Sequence, residues 1–62
     1  MKLKDWEQIT NGIDEYEIFS DDSYYPENKS RMLENFGEDE IDEIFIKTYE
    51  DGAWVVAIIY LK

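Results

Sequence analysis

Residues 43–61 read EIFIKTYEDGAWVVAIIYL, and this stretch decides the fold. Two runs rich in β-branched and aromatic residues, 43–49 and 53–61, flank Asp51-Gly52. Such residues suit a pleated, half-buried surface. An Asp-Gly pair between two such runs is a strong hairpin signal, because a type I′ turn needs φ > 0 at both central positions. A loop at Asp51-Gly52 sets Tyr49 opposite Trp54, Phe45 opposite Ile58 and Ile44 opposite Ile59. A three-residue loop with a bulge at Gly52 shifts each pair by one. The second run is apolar on both faces, which predicts a central strand with its hairpin partner on one side and an earlier strand on the other. On this reading Trp54 is a large core side chain, and its truncation to alanine costs ~3–5 kcal/mol.

The earlier strand is found upstream, in residues 13–20 (IDEYEIFS). Tyr16 and Ile18 share one face there, and Glu15, Glu17 and Phe19 share the other. Asp21, Asp22 and Ser23 read as the loop that ends it. Pro26 is placed to start a second helix over residues 27–36 (ENKSRMLENF), whose apolar stripe is Met32, Leu33 and Phe36. Gly37 follows as a C-terminal cap. A first short helix is read over residues 3–11 from the spacing of Leu3, Trp6 and Thr10, with Gly12 as the cap beyond it, where φ > 0 is wanted. Residues 38–42 are too charged to belong to a core. The expected architecture is a single α+β domain over residues 1–62 in the order α-β-α-β-β: a three-stranded antiparallel sheet with a C-terminal β-hairpin and two short helices packed on it.

Length and composition agree with one small domain. A chain of 62 residues buries only roughly 60% of the surface it exposes when unfolded, so its stability is thin. Ten aromatic residues, from Trp6 to Tyr60, suit a compact fold rather than a disordered acidic tail. No repeat, linker or low-complexity tract interrupts the chain. Cysteine is absent, whereas a secreted domain this small usually carries disulfides. Met1 to Asp5 leads into a polar segment instead of the apolar core of a signal peptide. The longest apolar run, 53–61, is far short of the about 20 residues that span a bilayer as a helix. A cytoplasmic location is expected.

The side chains of common catalysis are missing. Without histidine or cysteine, thiol chemistry, imidazole acid–base work and ordinary zinc sites are excluded. The three glycines, at 12, 37 and 52, form no phosphate-cradling loop. Paired carboxylates of the glycosidase kind need a substrate cleft that so short a chain hardly builds. Asp39, Glu40, Asp42 and Glu43, or Asp21, Asp22 and Glu27, supply hard oxygen ligands, but neither set has the spacing and central glycine of a calcium-binding loop. No enzyme activity, no cofactor and no dedicated metal site are expected.

The charge is the informative property. Sixteen acids against six bases leave a formal net charge of −10. That balance opposes direct binding to nucleic acid and to anionic membranes, and favours a basic protein partner. The acids cluster. Asp14, Glu15, Glu17, Asp21 and Asp22 crowd one stretch, and Glu34, Glu38, Asp39, Glu40, Asp42 and Glu43 crowd another. No base lies between Asp5 and Asn28, or between Glu34 and Ile46. Like charges this dense oppose folding, so the functional reading is a negative patch that meets a positive one, against a plainer reading as solvated loops. Tyr24 and Tyr25, in a polar stretch beside Pro26, are candidate contact residues, because tyrosine offers rigid amphipathic area. Their alternative is to cap the core.

In charge, size and lack of catalytic groups the composition resembles that of the small acidic inhibitors that mimic DNA, encoded largely by bacteriophages and mobile elements. Those proteins occupy the basic grooves of restriction enzymes, CRISPR effectors, repair glycosylases or nucleoid proteins. The resemblance implies a non-enzymatic inhibitor of a nucleic-acid-binding protein, in an anti-restriction, anti-CRISPR or host-takeover setting. Two other readings are an immunity protein or antitoxin for a basic nuclease toxin, and an interaction module that forms a homodimer through its C-terminal strand, with acidity serving solubility.

Overall fold

A computed structural model describes all residues, 1–62. The chain forms α1 (Leu3–Gln8), β1 (Glu15–Ser20), β2 (Ser23–Glu27), α2 (Lys29–Phe36), β3 (Ile41–Tyr49), a short 3-10 turn at Glu50–Gly52, and β4 (Trp54–Leu61). The class is α+β, with both helices on one face of a four-stranded mixed sheet of order β2-β1-β4-β3.

The C-terminal hairpin has the expected register, with Tyr49 opposite Trp54, Phe45 opposite Ile58 and Ile44 opposite Ile59. β4 lies inside the sheet between β3 and β1, as its two apolar faces require. The loop is longer than two residues, however. Glu50, Asp51 and Gly52 all have positive φ (53°, 57° and 91°), and Ala53 closes the turn through its N–H to the Glu50 carbonyl.

The expected three-stranded antiparallel sheet is corrected in one respect that changes the topology. Residues 23–27 are a strand and not a loop, so Tyr24, Tyr25 and Pro26 belong to the sheet. Asp21 and Asp22 are the two left-handed residues (φ 50° and 63°) of a tight hairpin closed by Ser20 and Ser23. This is the type I′ pattern, formed without glycine because a short polar side chain tolerates that region better than most. Proline lacks a ladder donor, but β2 is an edge strand and accommodates Pro26. The extra strand adds one reversal of chain direction. Every later element is thereby flipped, and β4 runs parallel to β1 instead of antiparallel.

The second helix starts later than expected, at Lys29. Asn28 caps it, its side-chain oxygen accepting the Arg31 N–H at 3.0 Å. Gly37 ends it in right-handed helical geometry (φ −57°, ψ −32°), without the left-handed turn of a glycine cap. What requires glycine there is space: a Cβ at this position meets the Leu33 carbonyl oxygen at 2.5 Å. The buried Gly37 carbonyl accepts the Lys4 N–H, and the Asp39 carbonyl accepts that of Leu3, each at 3.0 Å. These bonds satisfy the first turn of α1, which has no side-chain cap. α1 itself ends at Gln8, short of the expected residue 11, and Gly12 (φ 78°) bends the connection to β1.

Leu3 from α1, Met32 from α2, and Tyr16, Ile18, Ala57, Ile59 and Leu61 from the sheet form the core. Trp6, Ile13, Leu33, Phe36, Ile41 and Ile44 close its edges. Trp54 does not belong to it. Its side chain lies on the far face of β4 and is 43% exposed. No helix is long and apolar enough to cross a membrane.

Candidate interaction surface

Strand alternation sends successive side chains to opposite faces. With Tyr16, Ile18, Ala57 and Ile59 turned to the helices, the partners in register define the other face. β1 contributes Glu15, Glu17 and Phe19, opposite Val56, Ile58 and Tyr60 of β4. β3 contributes Glu43, Phe45, Lys47 and Tyr49, and β2 contributes Tyr24 opposite Phe19. No helix covers this face.

Aromatic rings run across all four strands of it. Tyr24 meets Phe19 at 5.1 Å between centroids. Phe19 stacks on Tyr60 at 4.9 Å, with the ring planes 15° apart. Tyr60 then takes Phe45 edge-on at 5.9 Å. Offset and edge-on pairs of this kind add to sheet stability beyond area alone. Tyr24, Phe45, Tyr49, Trp54 and Tyr60 nonetheless remain well exposed. Tyr25 is different. It lies opposite Ile18 on the helix side and packs on Phe36 of α2 at 5.1 Å, although it is as exposed as Tyr60.

The charges are sorted by face. Every ion pair lies on the helix side: Lys2 and Lys4 with Glu38, at 2.9 and 2.6 Å, Lys29 with Glu7 at 2.8 Å, Arg31 with Glu27 at 3.5 Å, and the Met1 amine with Glu40 at 2.9 Å. Hydrogen bonds from Lys4 and Lys2 hold the Glu38 carboxyl down at about 2. The Met1 amine likewise lowers Glu40. The open face carries a single base, Lys47, whose ammonium lies 5.6 Å from the centre of the Tyr49 ring. Glu15, Glu17 and Glu43 on that face form no ion pair. Nor do Asp21 and Asp22 at its β1–β2 turn, Asp42 at the bulge of β3, or Glu50 and Asp51 at the β3–β4 turn. Partial burial, then the Glu17 and Glu15 carboxylates, push the Tyr24 phenol above its usual range.

The acidic residues singled out from the sequence therefore separate into groups. Asp14 serves the backbone: its Oδ2 accepts the Val55 N–H at 2.7 Å, and its own N–H donates to the Val55 carbonyl. Glu38 and Glu40 tie the start of the chain to the α2–β3 connection. Glu34 is exposed on α2, and Asp39 lends its carbonyl to α1. The structure brings together Glu15, Glu17, Asp21, Asp22, Tyr24, Asp42 and Glu43 around the open face. An open hollow of about 610 Å³ at one end joins Asp21, Asp22 and Asp42 to Phe19 and Tyr60. No acidic group is arranged to hold a metal ion. Sequence reasoning did not single out the aromatic half of this surface, Phe19, Phe45, Tyr49, Trp54 and Tyr60. The signal was present in the alternation of 15, 17 and 19 against 16 and 18, and in the hairpin register. Because β4 is paired on both edges, a strand of a second copy has no free backbone along it to join.

Comparison of the chain with protein-family models, with characterised proteins and with solved structures gives no match.

Proposed function

We propose that this protein is a non-enzymatic inhibitor that occupies the basic, nucleic-acid-binding surface of a partner protein, with phage anti-defence or host takeover as its setting. The observation that carries this reading is the sorting of charge. Four of the six bases are spent on ion pairs over the helix layer, while eight carboxylates without an ion pair surround a face that no element covers. Acids kept apart from bases at a cost in self-repulsion produce a one-signed field, which steers a basic partner and speeds encounter. Duplex DNA presents a phosphate about every 1.7 Å of axis to such a partner, and surface carboxylates compete for the same lysines and arginines.

The test couples capture to competition. The immobilised protein is exposed to host extract at low and high salt, retained proteins are identified, and duplex DNA is then added as competitor. Basic nucleic-acid-binding proteins that are released by salt and displaced by DNA support the reading. Retained proteins with no basic bias, or an association rate that stays flat from low to high salt, overturn it.

A further inference from the structure

We infer that the open sheet face is the contact surface and that it selects arginine over lysine in the partner segment it takes; this rests on the basic-partner reading above. The face offers two kinds of group side by side. Tyr24, Tyr60 and Phe45 present exposed ring surface, and the half-buried Phe19 ring between Tyr24 and Tyr60 joins them into a strip. Carboxylates border the strip along the same strands, Glu17 two residues before Phe19 and Glu43 two residues before Phe45. A guanidinium satisfies both groups at once. It is planar and weakly hydrated, so it stacks on a ring, while its fork of donors pairs a carboxylate bidentately. An ammonium is a compact, strongly hydrated charge that gains from the carboxylates but leaves much of the ring surface wet.

Charge decides among occupants. A second copy carries the same −10 and brings like charge to like. An apolar segment leaves the bordering acids desolvated without partners. A cationic segment alone answers both the strip and its border.

The probes are two fluorescent peptides, nine arginines and nine lysines, titrated by anisotropy at physiological salt. The arginine peptide is expected to bind roughly tenfold tighter, the effect of one or two ring contacts. Phe45→Ser and Tyr24→Ser are expected to bring that ratio toward one with little change for the lysine peptide. Phe45→Tyr, which keeps a ring, retains the preference. Glu17→Gln weakens both peptides. A ratio near one, or a ratio that the ring variants leave unmoved, overturns the inference while leaving the basic-partner reading intact. If neither peptide binds, the basic-partner reading itself fails, and the inference with it. Sedimentation of the free protein supplies the last arm: self-association abolished by Phe45→Ser assigns the face to a second copy and also overturns the inference. Circular dichroism confirms the fold of each variant, and Phe45→Tyr keeps the comparison decisive where a serine variant unfolds.

Discussion

At the scale of single residues, burial and charge pairing separate side chains that look alike in sequence. Trp54 and Ile59 both belong to the apolar β4 run, yet Trp54 is 43% exposed and Ile59 is fully buried. Ile59→Ala is expected to cost ~2–5 kcal/mol, enough to unfold most of a domain this small. Trp54→Ala loses only part of an aromatic side chain's burial, about 1–2 kcal/mol, and is expected to keep a cooperative thermal transition by circular dichroism. Gly37→Ala drives a Cβ into the Leu33 carbonyl, where overpacking costs ~1–3 kcal/mol, and it displaces the carbonyl that caps α1. A lowered melting temperature is the expected result. Glu38 is distinct among the acids. Its carboxyl titrates at about 2 instead of 4.5 when folded, because Lys4 and Lys2 donate to it. A depressed carboxylate stabilises the fold above its unfolded value and loses that contribution as pH falls through the folded one. The gap in melting temperature between wild type and Glu38→Gln is therefore expected to hold above about pH 4.5 and to close toward pH 2. A gap that does not change with pH removes the ion pairs as its cause.

At the scale of elements, the two hairpins show how much a turn decides. The Asp51-Gly52 signal was legible, and the β3–β4 register followed from it. The β1–β2 hairpin was not legible, because Asp21-Asp22 reads as a polar loop and Pro26 as a helix start. Only a partner strand supplies Tyr24 and Tyr25 with a ladder, and only the edge position tolerates the proline. The left-handed backbone at Asp21 and Asp22 (φ 50° and 63°) remains costly for a residue with a Cβ. Replacing the pair by Asn-Gly matches the turn type. A gain of about 0.5–1 kcal/mol is expected after the added chain entropy of glycine, seen as a melting temperature a few degrees higher. A melting temperature that falls instead shows that the aspartates do more for the turn than fill it. The acidic stretch 34–43 divides in the same manner, since Glu38 and Glu40 staple the N-terminal segment while Asp42 and Glu43 border the sheet.

For the whole molecule, the net charge acts on stability and on binding in opposite senses. Exposed charges are screened beyond about 8 Å at physiological salt, so raising salt relieves self-repulsion. The melting temperature of the free protein is expected to rise with sodium chloride while the association rate with a basic partner falls. Neutralising Asp21, Asp22 and Asp42 to asparagine removes three charges that form no ion pair. An unchanged or higher melting temperature is expected, with affinity lower by about 1 kcal/mol or less per rim charge. Calorimetric titration on those variants reads the second effect. Affinity equal to wild type shows that the acids are only solvated.

By itself the sequence determined the α+β class, the central position of β4 and its pairing with β3, the division of β1 into two faces, and the excess of acid without catalytic side chains. Each is a property of local composition or of residues close along the chain, where a turn or a period-2 pattern leaves few alternatives. The tertiary structure alone decided three things: the parallel pairing of β1 with β4, the exposure of Trp54, and which acids are free. Direction along the sheet depends on the number of reversals between strands, and one unseen turn changes it. Exposure depends on which sheet face the helices cover, and both faces of β4 are apolar enough to be the buried one. An ion pair such as that of Lys4 with Glu38 joins residues 34 apart, so it exists only once the helix layer has brought them together.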